Sequence, residues 1–208
     1  IDHAILRRQL AHKIHDEETL WLIDQILDGG RGVLSEQYEM TWFPGDDLFA
    51  VNRPRGLPIG NLTSQFWANC YLNGFDHFIK RDLKCKGYVR YVDDFLLFAD
   101  DKQTLHAWHV ALRERLAALR LTIHAHAQPR PVSEGIPFLG FIVYPTHRRV
   151  KPRKVVHYRR KLRSQLAKYR DGEIDQQALQ ASVQGWLNHV QYGDTWGLRE
   201  AVLREVVL

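Results

Sequence analysis

Two apolar, β-rich runs on either side of a pair of acidic residues constrain the fold more than any other feature. Residues 88–91 and 95–98 are rich in aromatic and aliphatic side chains, and Asp93 and Asp94 lie between them. This pattern predicts a β-hairpin. Adjacent carboxylates repel each other, so a pair on a rigid turn favours a bound cation, with Mg²⁺ or Mn²⁺ preferred by oxygen ligands. Taken alone, the pair is equally compatible with a solvated turn.

Helical periodicity dominates the rest of the chain. Helices are expected over residues 2–14, 16–27, 62–83, 102–119, 174–191 and 195–206, and through the basic segment that follows residue 151. Alternating apolar residues predict a strand over 121–125 and a second hairpin that joins 138–144 to 149–151. The expected fold class is therefore α+β, with a small, mostly antiparallel sheet and packed helices.

Positive charge is concentrated in one segment. The 208 residues include 29 Lys and Arg against 24 Asp and Glu, a net charge of +5. Eleven of these basic residues lie within 148–170, a window without a single acidic residue. Such a segment predicts binding to the nucleic-acid backbone, whereas a solvated helix face usually carries both signs. The residues expected to contact phosphates are Arg159, Arg160, Lys161 and Arg163.

Composition excludes several classes of protein. Hydrophobic residues make up 45% and charged residues 25%, which excludes a disordered chain. Two cysteines are too few for a disulfide scaffold, and no apolar run approaches the roughly 20 residues of a membrane-spanning helix. A cytoplasmic protein without a membrane partner is expected. Among other residues, Asp46-Asp47 is interpreted as a solvated turn, and Trp186 and Trp196 are expected to pack in the helical C-terminal part.

Several motifs together resemble those of reverse transcriptases. Tyr91-Val92-Asp93-Asp94 resembles their Y-x-D-D motif, and residues 55–65 (RGLPIGNLTSQ) resemble their motif B. Residues 138–141 (FLGF) resemble the hairpin called the primer grip, residues 1–3 (IDH) resemble the end of motif A, and residues 185–189 (GWLNH) lie in a part similar to the thumb of prokaryotic members. The motifs occur in the family's order and cover nearly the whole chain.

The resemblance implies a polymerase palm over residues 1–152 and a helical thumb over 153–208. It implies an RNA-directed DNA polymerase that adds deoxynucleotides to a primer 3′-hydroxyl, with Mg²⁺ or Mn²⁺ on the catalytic Asp93 and Asp94. The partners would be an RNA template, a DNA primer and deoxynucleoside triphosphates, and an accessory protein is left open. The template and nascent base pair would be contacted by Ile59, Gly60, Asn61, Ser64, Gln65 and Tyr91, and the primer end by Phe138, Leu139 and Gly140.

Motif B also suggests a subfamily. The order Ile59-Gly60-x-x-x-Ser64-Gln65 is similar to that of diversity-generating retroelements, whereas intron-encoded enzymes typically have Q-G-x-x-x-S-P. In the retroelement family, the position of Ile59 lies by the templating base and is linked to low fidelity at template adenines. A group II intron-like or antiphage reverse transcriptase, or a nucleic-acid-binding module without catalysis, remains an alternative.

Some family features are missing from the chain. The first catalytic Asp and the aromatic gate against ribonucleotides are expected about nine positions before Asp2, and the fingers also precede residue 1. The chain is therefore interpreted as N-terminally truncated and inactive by itself. Many relatives carry a Lys after the strand predicted at 121–125, and here its role is either vacant or taken by His126 or Arg130.

Overall fold

The computed structural model describes residues 1–31 and 40–207, with side chains up to residue 204. Over these residues the fold is α+β, as predicted, with seven α-helices and two small antiparallel sheets. The chain divides into two compact units, Ile1–Pro129 and Arg130–Leu208. The palm–thumb boundary at 152/153, which is a functional division, stays a prediction. No helix of the described residues is long and apolar enough to cross a membrane.

The first unit contains four α-helices and one hairpin among its described residues. In chain order they are α1 (His3–Ala11), α2 (Glu17–Asp28), α3 (Leu62–His77), β1 (Gly87–Tyr91), β2 (Asp94–Phe98) and α4 (Lys102–Ala118). Each helix begins after an Asp or Asn whose side chain accepts a backbone N–H of the first turn: Asp2, Asp16, Asn61 and Asp101. These caps satisfy N–H groups that have no partner within the helix, so the start of each helix is fixed locally.

Helix α3 lies at the centre of the first unit. Its Trp67 and Tyr71 belong to a core cluster shared with α1 and α2, and its Leu72 and Phe75 belong to a second cluster shared with α4. Phe75 also packs edge-on against Phe95 of β2, with ring centroids 5.3 Å apart. The hairpin is therefore packed against the same helix that organises both cores.

The second unit combines a three-stranded sheet with three helices. Strands β3 (Ile136–Phe138), β4 (Phe141–Val143) and β5 (Arg148–Val150) are adjacent in that order, and α5 (Pro152–Arg170), α6 (Gln176–Val190) and α7 (Trp196–Val207) follow. Its core is formed by Phe141, Val150, Tyr158, Leu162, Trp186, Val190 and Val202. The basic segment is thus a helix, as predicted, and its buried side is part of this core.

One prediction about strands is wrong, and another is confirmed with narrower bounds. Residues 121–125 form no strand in the described structure; Leu121 donates its N–H back to the Leu116 carbonyl, and a turn follows at His124. The apolar alternation arises because Leu121 and Ile123 pack against the second core cluster. The predicted second hairpin is confirmed, since β4 pairs antiparallel with β5, but its first strand begins at Phe141 and not at residue 138. Phe138 ends β3 instead, because Leu139 and Gly140 have φ angles of +46° and +90° and form a tight turn.

Two predictions about side chains are also wrong. Asp46 does not lie in a solvated turn: its carboxylate is 1% exposed and accepts from Arg53 Nη1 at 2.6 Å and from Arg120 Nη2 at 3.1 Å. Trp196 does not pack in the C-terminal core, since it is 76% exposed. Trp186 is buried there, as predicted.

Candidate functional site

Asp93 and Asp94 lie at the exposed tip of the first hairpin. Strands β1 and β2 pair from Gly87 opposite Phe98 to Tyr91 opposite Asp94, so Val92 and Asp93 form a two-residue loop. Both carboxylates and the Tyr91 side chain are exposed. The predicted hairpin is therefore confirmed, and its tip presents two adjacent acidic side chains to solvent.

The tip has a strained backbone. Val92 has a φ of +56°, in the left-handed region that favours glycine. A β-branched residue in this region is unusual, and such strain costs on the order of 1–3 kcal/mol. The loop conformation must therefore be held by interactions outside the two loop residues.

Arg90 supplies these interactions. Its Nη1 donates to the Val92 carbonyl at 2.7 Å and to Asn69 Oδ1 of α3 at 3.1 Å. Its Nε and Nη2 donate to the two carboxylate oxygens of Asp76, also on α3, at 2.8 and 2.6 Å. One guanidinium group therefore ties the loop to the central helix.

Tyr88 completes this polar group, because its hydroxyl donates to Asp76 Oδ1 at 2.6 Å. The Asp76 carboxylate raises the pKa of Arg90, so the guanidinium group stays charged. Burial, together with the hydrogen bond to Asp76, raises the pKa of Tyr88, so its hydroxyl stays a donor. Arg90 and Tyr88 therefore keep the protonation states that their hydrogen bonds need at neutral pH.

The motif B residues form the loop that leads into α3. Gly60 has a φ of +81°, and Asn61 caps the helix by accepting from the Thr63 N–H at 3.0 Å. Ser64 Oγ donates to the Pro58 carbonyl at 2.7 Å, which closes the loop. Ile59 is 72% exposed and Gln65 is also exposed. Asn61 and Ser64 thus shape the loop, while Ile59 and Gln65 are accessible to a ligand.

One face of α3 links this loop to the acidic tip. Asn61, Gln65 and Asn69 are spaced four residues apart, so they lie on the same side of the helix. Gln65 and Asn69 are separated by about 6 Å along the axis. Since Asn69 contacts Arg90, and Arg90 contacts the Val92 carbonyl, the motif B residues and the Asp-Asp tip share one rigid support.

The chemistry of the tip suits a hard divalent cation. Within residues 1–31 and 40–207, no group of three or more His, Cys, Asp and Glu side chains could hold a metal ion. Mg²⁺, however, is usually bound through one or two protein carboxylates and keeps waters or substrate phosphates as its other ligands. Two exposed carboxylates on a held turn fit that requirement, so Asp93 and Asp94 could act as the protein ligands.

The residues predicted to hold the primer end form the β3–β4 turn of the second unit. Phe138 pairs with Phe141, and Leu139 and Gly140 occupy the two turn positions. A Cβ on Gly140 would lie 3.4 Å from His189 Nε2, an ordinary van der Waals contact, so the positive φ and not a lack of space favours glycine here. The turn presents Leu139, which is 42% exposed.

Helix α5 buries an apolar stripe and exposes basic residues. Tyr158 and Leu162 are buried, whereas Tyr169 in the last turn is 41% exposed. Of the predicted phosphate-binding residues, Arg160, Lys161 and Arg163 are exposed and Arg159 is half-buried. A groove of about 510 Å³ in the second unit is lined by Leu139 and Gly140, by Lys154, His157 and Lys161 of α5, and by Ser182, Gly185 and His189 of α6.

Comparison with known proteins assigns no family. No protein-family model matches the chain, and a search of curated proteins finds none with significant similarity.

Two residues of the site, Arg90 and Asp76, were missed by the sequence analysis. A signal was present in the sequence. Arg90 is the single charged residue within 88–91. Asp76 is the single acidic or basic residue, His77 aside, in the aromatic-rich segment 71–78. An isolated charge in a segment that is otherwise apolar indicates a specific partner, because a charge that becomes buried without one is costly. Sequence alone does not tell which two charges are paired.

Proposed function

We propose that the chain is the palm and thumb part of an RNA-directed DNA polymerase of the diversity-generating retroelement type. The observation that carries the proposal is the pair Asp93 and Asp94, exposed on a hairpin tip that is tied to α3. The same helix presents Gln65 on the face that leads towards this tip. Templated nucleotide addition needs a metal-binding turn and a surface that contacts the base pair, both held in fixed positions by the same helix.

The residues of the first unit would act as follows. Asp93 and Asp94 hold Mg²⁺, which when bound activates the primer 3′-hydroxyl and stabilises charge on the leaving pyrophosphate. Ile59 and Gln65 contact the template and the nascent base pair, and Tyr91 contacts the substrate beside the acidic tip. Gly60, without a side chain and at positive φ, lets the substrate approach the backbone closely.

The second unit would hold the product duplex. Phe138, Leu139 and Gly140 position the primer end. The exposed basic residues of α5 contact phosphates of the RNA–DNA hybrid without reading its sequence. The proposal includes a cytoplasmic location, where the template RNA and the deoxynucleoside triphosphates meet.

The proposal is tested with the intact enzyme that carries this chain. Asp93→Asn should reduce primer extension by about three orders of magnitude or more, because the substitution replaces a charged metal ligand with a neutral, weaker one. Binding of a hybrid duplex should change less than about twofold, because removing a negative charge does not weaken attraction to phosphates. Asp100→Asn is the matched control: it removes an exposed carboxylate from the other end of the same hairpin and should retain activity.

Retained polymerisation by Asp93→Asn, with folding unchanged, contradicts the assignment of the metal site. An intact protein that binds the hybrid but never extends a primer identifies the alternative, a nucleic-acid-binding module.

A further inference from the structure

We propose that Arg90 is a positioning residue that sets the geometry of the Asp93–Asp94 turn. This inference rests on the proposed function, since it assigns a role in holding the metal-binding carboxylates. Arg90 itself does not reach the metal; it acts through the peptide group between Val92 and Asp93.

That peptide group is the point of control. The Val92 carbonyl, which accepts from Arg90 Nη1 at 2.7 Å, belongs to the same planar unit as the Asp93 N–H. A hydrogen bond that fixes the carbonyl oxygen therefore also fixes the orientation of the peptide plane that precedes the Asp93 Cα atom. Because Val92 has a φ of +56°, the loop would relax towards a more favourable conformation without this bond. Such a relaxation would rotate Asp93 relative to Asp94.

The guanidinium group suits this role because it makes two kinds of contact at once. Its Nε and Nη2 are engaged by Asp76, whose side chain is 28% exposed, while the Arg90 side chain is 13% exposed. Its Nη1 remains directed at the Val92 carbonyl and Asn69. A lysine has one compact donor group, so it cannot hold Asp76 in the two-pronged manner and bind the carbonyl as well.

A positioning role differs in its consequences from a purely structural one. A displaced turn weakens metal binding and slows the chemical step, but it leaves the duplex-binding residues of α5 untouched. Loss of fold, in contrast, lowers the active fraction without changing the metal concentration needed by the molecules that remain active. The two are therefore separable by measuring metal dependence.

The experiment uses the intact enzyme and the variants Arg90→Lys and Arg90→Gln. Each variant is made in two backgrounds, one with the native Val92 and one with Val92→Gly. With Val92, each variant should lower kcat by about 10- to 100-fold, a typical cost of misplacing a reacting group by about 1 Å. The Mg²⁺ concentration for half-maximal rate should rise about 5- to 10-fold, and Mn²⁺ binding followed by electron paramagnetic resonance should weaken similarly. Duplex affinity should stay within about twofold.

The Val92→Gly background tests the mechanism. Glycine adopts a φ of +56° with little strain, so the turn should depend less on Arg90 and the reduction in kcat should shrink to less than about 10-fold. Arg113→Gln, which removes an exposed arginine of α4, is the matched control and should have no effect. Melting temperatures of all variants identify any that fail to fold, and the milder Arg90→Lys is then the decisive one.

The inference is overturned if the Arg90 variants keep both the wild-type rate and the wild-type Mg²⁺ requirement. It is also overturned if the reduction in kcat is equally large in both Val92 backgrounds with an unchanged Mg²⁺ requirement. Failure of the proposed function gives a different result: the wild-type enzyme itself then extends no primer, and the Mn²⁺ titration still reports whether Arg90 positions the carboxylates.

Discussion

Tyr158 and Trp186 stack in parallel, with ring centroids 4.3 Å apart and an angle of 2° between their planes. The pair joins α5 to α6 in the centre of the second unit, where Leu162 and Val190 are fully buried. Because Tyr158 lies on the helix that carries the exposed basic residues, this stack and the buried Leu162 together fix which side of α5 faces solvent. The presentation of positive charge is therefore a consequence of aromatic packing.

Removing the stack should destabilise the second unit. Trp186→Ala deletes a buried aromatic ring and should lower the free energy of unfolding by about 3–5 kcal/mol. Chemical denaturation followed by circular dichroism measures this decrease. Trp196→Ala is the control, since Trp196 is 76% exposed and its removal should change stability by less than about 0.5 kcal/mol. Equal effects of the two substitutions contradict the packing described above.

Neutralising exposed charge on α5 should change the salt dependence of binding. The double variant Arg160→Gln/Lys161→Gln should bind a hybrid duplex more weakly, to a similar extent for unrelated sequences. The slope of log K against log salt should fall by about 0.7–0.9 for each phosphate that the variant no longer neutralises, because fewer counterions are released. Fluorescence anisotropy at several salt concentrations measures this slope.

The control for this prediction is Arg8→Gln/Lys13→Gln, which removes two exposed basic residues from the beginning of the first unit. It lowers the net charge by the same amount. A similar decrease in affinity in both double variants would mean that overall charge, and not the α5 surface, attracts the duplex.

Ile59→Gln should raise the fidelity of the intact enzyme. Ile59 is 72% exposed in the loop before α3 and offers bulk without a hydrogen-bonding group. A glutamine restores a polar contact, which is worth about 1–3 kcal/mol of discrimination, or roughly 10- to 100-fold. Sequencing cDNA copied from one defined RNA should show fewer errors, above all at template adenines.

Leu62→Gln provides the matched control for fidelity, since Leu62 is 83% exposed in the first turn of α3. Its error spectrum should equal that of the parent. If Ile59→Gln also leaves the spectrum unchanged, Ile59 does not determine fidelity, and an accurate parent enzyme contradicts the retroelement assignment.

Acidification should destabilise the first unit through His3. Burial lowers the pKa of His3, whose Nε2 lies 3.0 Å from the Gly56 carbonyl, despite that hydrogen bond. Below the ordinary pKa of about 6.5, His3 is protonated in the unfolded chain but still neutral in the folded chain. The free energy of unfolding therefore decreases as the pH falls through this value. The melting temperature should drop less between pH 7.5 and 5.5 in His3→Gln than in wild type. His15→Gln, at an exposed position, should behave like wild type.

Features set by neighbouring residues were predictable from the sequence. The hairpin at 87–98 follows from two β-rich runs around a short polar loop, and the start of α2 follows from Asp16. The residues that give these two signals also make the contacts, so the signals depend little on the tertiary context. The two-residue turn at Leu139-Gly140 was harder to predict from the sequence, because its first position is a leucine at positive φ, where glycine or asparagine is usual.

Features set by distant partners were not predictable. Asp46 resembles any acidic residue after Pro-Gly until Arg120, from the segment after α4, is brought beside it. Arg90 and Asp76 lie on different elements, and the spacing of 14 residues does not determine that they meet. The alternation at 121–125 has the pattern of a strand, yet it results from two side chains that pack on a helical core.

The buried carboxylates of Asp2 and Asp46 also affect how the first unit forms during synthesis. Asp2 accepts at 3.0 Å from Arg120, which lies 118 positions further along the chain. At a translation rate of about 5–20 residues per second, Arg120 is synthesised roughly 6–24 s after Asp2. Until Arg120 emerges from the ribosome, the Asp2 carboxylate lacks one of the two arginines, Arg53 and Arg120, beside which it is buried in the folded protein. Formation of the first unit is therefore coupled to the synthesis of its last segment.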